Sequence, residues 1–189
     1  MVGRLRQSAR RQVEYVASNK NKFVGRARVP VLQTQRTEEA RMSSAKFWLT
    51  SGAIFAGFGV ALGAFGAHGL DRVLKNVYSP DEMRTIAGLT VPATWKYLQD
   101  FKTGAEYQLT HSLALLAVGL LARDGSRRSL TIAGWSFLLG IVLFSGSLYV
   151  LAVTGVKALG AITPIGGVMF LIGWCSLAIA ACQRSQSKT

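Results

Sequence analysis

Charge is missing from four long stretches of this sequence, and no other feature constrains the fold as much. Phe47 to Ala67 runs 21 residues without Asp, Glu, Lys or Arg, Tyr107 to Ala122 runs 16, Ser129 to Val156 runs 28, and Ala158 to Gln183 runs 26. A helix needs about 20 mostly apolar residues to cross roughly 30 Å of hydrocarbon. A backbone in lipid must pair its own N–H and C=O groups, which leaves only helices and closed barrels. These stretches lack the alternation of a barrel strand. They predict an all-α integral membrane protein, a bundle of four transmembrane helices with spans at about 47–67, 105–122, 130–153 and 158–182. The second is the weakest, since its charge-free run begins only after Glu106 and holds Gln108, Thr110 and His111. Its run from Leu113 to Ala122 is nevertheless too apolar for a soluble surface.

Composition agrees. Charged residues make up 16 % and apolar residues 50 %, where a soluble domain carries about a quarter charged. That excludes an ordinary soluble enzyme and a disordered chain. Cys175 and Cys182 exclude a disulfide-built fold and a four-Cys zinc site. On one helix they stand about 10 Å apart in rise, beyond the roughly 7 Å Cα separation a disulfide allows. The net charge of +13 is unevenly spread. With both termini on one side, 16 of the 22 Lys and Arg fall on that side. Basic loops stay on the cytoplasmic face, so both termini are expected in the cytoplasm, or in the matrix of a mitochondrion.

Residues 1–41 form a basic extension with 10 basic and 3 acidic residues. Leu5, Ala9, Val13 and Val16 recur at helical spacing among Arg4, Arg6, Arg10 and Arg11. The extension reads either as an amphipathic helix on an anionic membrane face or as a solvated, partly disordered tail. Its charge brings no nucleic-acid motif with it, and no nucleic-acid partner is expected. No secretory h-region follows the first basic residues; the Arg-rich composition fits a transit peptide, against which Glu14, Glu38 and Glu39 argue. Met42-Ser-Ser-Ala-Lys-Phe-Trp also reads as the start of a small membrane protein, leaving Met1 or Met42 as the first residue. Residues 42–183 are the membrane domain and 184–189 a cytoplasmic tail. In the loop 68–103, Ser79-Pro80-Asp81-Glu82 predicts a short helix to about Gly88. Thr94 is expected to cap a second helix that runs through Gly104. Trp95 and Tyr97 are expected at one membrane interface, and Phe47 and Trp48 at the other.

Gly59-x-x-x-Gly63 and Gly66, with Gly166 and Gly167 further on, predict close helix packing, because small residues let backbones approach. Pro164 predicts a kink. No repeat relates the first two spans to the last two, so the internal symmetry of many transporters is not visible. The polar residues Glu106, Tyr107, Gln108, His111, Ser145, Ser147 and Thr163 fall within or beside spans. An ionisable residue there is a functional hypothesis by default. The bland reading, a neutral His111 bonded to a neighbouring helix, has the greater weight. His68 and His111 are the histidines of the chain, and imidazole can hold haem or a metal. No nucleophile triad, phosphate loop or zinc-protease pattern accompanies them, so no catalytic residue, cofactor or metal is expected.

Four segments in order resemble a known family. Phe47 to Leu70, ending Gly63-Ala-Phe-Gly-Ala-His-Gly-Leu70, is similar to the first helix of the membrane family called domain of unknown function 423, which includes transmembrane protein 256. Phe101 to Leu116, Phe144-Ser-Gly-Ser-Leu-Tyr149 and Ile162-Thr-Pro-Ile-Gly-Gly167 resemble its second, third and fourth motifs. The likeness covers about 42–182. It implies a four-helix membrane protein and no activity; the family start matches Met42 and tilts the expected location toward a bacterial inner membrane. The expected role is a non-enzymatic structural or accessory component in the lipid bilayer, packing through Gly/Ala-rich faces with itself or a larger complex. A small transporter or channel with a polar path near His111 is the first alternative. A haem- or metal-binding protein using His68 and His111 is the second.

Overall fold

The computed structural model describes the backbone of residues 2–125 and 127–186, and the side chains of 33–125 and 127–183. The elements are α1 (Val2–His68), α2 (Leu70–Val77), β1 (Met83–Ile86), β2 (Leu89–Pro92), α3 (Ala93–Ala122), α4 (Arg128–Gly140), α5 (Gly146–Thr154) and α6 (Thr163–Gln186). A π-helical turn, Ile141–Ser145, joins α4 to α5, and a 3-10 turn, Lys157–Ala161, precedes α6. The chain divides into two compact units, Met1–Met42 and Ser43–Thr189. In the first, Glu38 pairs with Arg41 at 2.6 Å, one turn along the helix. The amphipathic or solvated face expected over residues 1–32, and the tail 184–189, lie outside the described side chains.

In the second unit, glycines set how closely the helices meet. A Cβ added to Gly52 would stand 2.9 Å from the Leu116 side chain, at Gly59 2.9 Å from Leu109, and at Gly66 3.2 Å from Phe101. The partners retreat along α3 as α1 advances, so the two helices run antiparallel. Gly119 of α3 completes the seam against Leu49 at 2.7 Å. The seam thus repeats every seven residues, a period that returns to one helix face within about 20°. Within the chain only one member of the four-residue pattern packs: Gly59 meets Leu109, whereas a Cβ at Gly63 would meet nothing within 4 Å among the described residues.

The later helices interlock by setting aromatic rings on glycines. Trp48 lies 2.7 Å from a Cβ at Gly134, Phe170 2.5 Å from one at Gly140, and Phe137 2.6 Å from one at Gly173. Gly166 abuts the backbone nitrogen of Phe144, whereas Gly167 only grazes the Phe144 ring at 4.0 Å. Trp48 is therefore core, not an interface anchor; Phe47 beside it is half exposed. Pro164 sits in the first turn of α6, where its missing N–H has no intrahelical partner to lose. It starts the helix and does not kink it.

The segment before α3 differs most from expectation. α2 forms at Leu70–Val77, and the helix predicted to Gly88 is replaced by a β-hairpin. Ser79-Pro80-Asp81-Glu82 closes as a turn, the Glu82 N–H donating to the Ser79 carbonyl at 3.0 Å. Those residue types suit a turn as well as a helix start. The hairpin pairs Met83 with Pro92 and Ile86 with Leu89. Its two-residue loop has positive φ at Ala87 (48°) and Gly88 (84°), the type I′ geometry that matches strand twist. α3 starts at Ala93 with no side-chain cap, so Thr94 lies inside it. Tyr97 is buried and stacks on Tyr78 at 4.4 Å, while Trp95 stays exposed. Tyr78 donates to the carbonyls of Leu151 (3.3 Å) and Ala152 (3.0 Å), tying this segment to the end of α5. Burial and the neighbouring Tyr97 push its hydroxyl up to about 12, so it remains a donor.

Among the described residues, three helical stretches are long and apolar enough to cross a membrane: Gln33–His68, Arg128–Thr154 and Lys157–Gln183. α3 has the length, 30 residues, but not the apolar composition. The seam predicts unequal effects at Gly59 and Gly63. Gly59→Leu is expected to cost about 1–3 kcal/mol by overpacking. Gly63→Leu is expected to stay within about 0.5 kcal/mol, as a surface change does. Thermal unfolding in mild detergent reads both.

Candidate functional site

Two polar residues of α3, Gln108 and His111, face inward and are spent on neighbouring helices. Gln108 is 4 % exposed. Its amide N–H donates to the Phe55 carbonyl of α1 at 2.8 Å. Its amide oxygen accepts from the Tyr149 hydroxyl of α5 at 2.9 Å. One side chain thus joins three helices. Ser112, also buried, donates to the Gln108 carbonyl at 2.6 Å.

His111 follows one turn later. Its Nδ1 lies 2.7 Å from the Tyr107 carbonyl, and its Nε2 lies 3.2 Å from the indole nitrogen of Trp174 on α6. A carbonyl only accepts and an indole N–H only donates. One neutral tautomer, protonated on Nδ1, satisfies both. The ring also stacks on Phe170 at a 3.4 Å centroid distance. Both nitrogens are therefore engaged.

His68 is exposed at the end of α1 and does not join His111. Gly66 meets α3 at Phe101, ten residues and about 15 Å of helical rise before His111. No group of three His, Cys, Asp or Glu side chains with metal-holding placement occurs among the described residues. Ser147 donates to the Phe144 carbonyl at 2.9 Å and shares a 2.8 Å hydrogen bond with Thr163. The Ser145 hydroxyl is buried without a partner among the described residues, on the π turn. Glu106 is exposed, and Tyr107 is 42 % exposed, its ring stacked on Phe144 at 4.5 Å.

A groove of about 520 Å³ opens beside His111, lined by Tyr107, Thr110, Phe144, Phe170, Leu171 and Trp174 among others. Sequence reasoning singled out His111, Tyr107 and Gln108 but missed Tyr149, Phe170 and Trp174. A tryptophan deep in an apolar run needs an acceptor for its indole N–H, and that need was the available signal.

Fold and composition define the class: a small, helix-built membrane protein. The chain belongs to the family described as Protein of unknown function (DUF423), whose profile matches residues 62–167. It is 46 % identical over 137 residues to UPF0382 membrane protein YwdK of Bacillus subtilis, covering 72 % of this chain and 96 % of the relative. A UPF0382 membrane protein of Haemophilus influenzae is 45 % identical over 132 residues, 69 % of this chain and 90 % of the relative. UPF0382 membrane protein SERP0230 of Staphylococcus epidermidis is 43 % identical over 135 residues, 71 % and 94 % respectively. No solved structure matches the chain.

The Gln108–Tyr149 bond makes those two residues energetically dependent. Tyr149→Phe and Gln108→Leu are expected to destabilise by less together than the sum of their separate effects. The coupling should be about 0.6 kcal/mol and at most about 1.7, the range for hydrogen bonds between membrane helices. A double-mutant cycle on unfolding in micelles measures it; additive effects would mean the bond does not form.

Proposed function

We propose that the chain crosses the membrane four times, with α3 as the fourth, central crossing, and that it serves as a non-enzymatic structural or accessory component. The observation that carries this reading is the double engagement of Gln108. A buried amide whose donor and acceptor are both paired with neighbouring helices enters lipid without an unmade bond. The face that α3 leaves open carries Leu113 and Leu120, both more than half exposed, as lipid contact requires. His111, held by Tyr107 and Trp174, acts as a fastener. That use supports a packing role over a polar transport path or a haem ligand.

Self-association or a place in a larger membrane complex completes the role. The span Gln33–His68 supports it, with only 17 % of its apolar window buried in this chain, the least of the three. The relatives are bacterial membrane proteins, which favours the bacterial inner membrane. The basic-residue count puts both termini in the cytoplasm.

Reporter fusions test the crossing number, since four crossings put the termini on one side and three put them on opposite sides. Green fluorescent protein should fluoresce at both ends, and alkaline phosphatase should be active when inserted in the loop after α2. Termini on opposite faces would remove the fourth crossing. Native mass spectrometry of protein gently solubilised from its own membrane tests the role. A homo-oligomer or a stoichiometric protein partner is expected, and a lone monomer would contradict it.

A further inference from the structure

The groove and its neighbouring carboxylate go beyond a packing role. We propose that the groove between α3 and α6 binds a lipophilic organic cation, with Glu106 as its counter-charge. The inference rests on α3 crossing the membrane, which the terminus fusions test separately.

Gly59 of α1 packs on Leu109 and Gly66 on Phe101. Glu106 therefore lies level with the stretch of α1 between those glycines, inside the charge-free run Phe47–Ala67. It is exposed there, with no ion pair or hydrogen bond to its carboxylate among the described residues. Lys102, one turn back, makes no bridge to it. Charged side chains at membrane depth are costly and as a rule face a partner or a wet cavity. Among the described residues Glu106 has no such partner, and in the proposed site one comes from outside the chain.

The adjoining surface says what that partner is. Thr110 lines the groove, and its hydroxyl donates to the Glu106 carbonyl at 2.9 Å, so the two lie on one stripe of α3. Glu106 is not itself a lining residue; it lies one helical turn from Thr110 on that stripe. The walls are aromatic, with Tyr107 and Trp174 each more than 40 % exposed. Aromatic faces attract cations, most strongly where water is absent. The volume of about 520 Å³ falls in the range of roughly 300–1,000 Å³ that holds small molecules. An apolar body fills the groove, and its positive charge meets the rings and Glu106. A phospholipid fits worse, because its phosphate would lie against the carboxylate.

Tetraphenylphosphonium is the probe, titrated into the full-length chain in nanodiscs of zwitterionic lipid, with empty discs subtracted. Triphenylphosphine oxide is the neutral control. Saturable one-to-one binding of the cation is expected. Glu106→Gln should weaken it at least tenfold, and so should Leu171→Trp, which fills the groove without touching the charge. Circular dichroism and thermal midpoints check that both variants, at exposed positions, remain folded. Binding no greater than to empty discs, equal affinity in Glu106→Gln, or equally tight binding of the neutral compound would each overturn the proposal. The last of these would make the groove a site for neutral lipid.

Discussion

The bundle depends on a buried amide. Gln108 has a donor and an acceptor to satisfy, and α1 and α5 each satisfy one. In lipid an unmade bond at either end has no water to replace it. The amide therefore dictates that α3 lies between its two neighbours and in one rotation. His111, three residues on, repeats the logic toward α6 through Trp174. Together these side chains tie α3 to α1, α5 and α6.

Such short bonds need close backbones, which the glycines supply. Gly52, Gly59 and Gly66 bring α1 onto α3, while Gly140, Gly166 and Gly173 bring α6 onto the chain from α4 to α5. The π turn Ile141–Ser145 falls where Gly166 abuts Phe144. Among membrane helices, packing and hydrogen bonding replace the hydrophobic drive that holds soluble cores. The aromatic rings seated on glycines give the packing, and the Gln108 and His111 bonds give direction. The groove lies at the edge of this arrangement, where Tyr107 and Trp174 have one face packed and one face open.

Much of the helical layout was legible in the sequence, because missing charge is a long-range signal that tolerates local detail. The runs 47–67, 129–156 and 158–183 all became helical spans. α3 was harder, since hydropathy records that a residue is polar and not that its polarity is spent. Gln108 reads the same whether it faces lipid or Phe55. The hairpin was missed because Ser79-Pro80-Asp81 suits a turn and a helix start alike, and Ala87 gives no warning of a positive φ. The Gly59–Gly63 pattern suggested close packing but not its period, because a single helix does not reveal which face its partner takes. The candidate site was half legible. Its α3 residues stood out as polar, but Trp174, 63 positions later, carries no local mark of the acceptor it reaches.

The central claim is that α3 is a membrane-crossing helix with a lipid-facing side, and its exposed Leu113 allows a direct measurement. A nitroxide placed at Leu113, with Cys175 and Cys182 replaced by serine, can be probed in bilayers by power-saturation electron paramagnetic resonance. High accessibility to oxygen with low accessibility to an aqueous nickel chelate is predicted. The reverse pattern would put α3 in water and contradict the account.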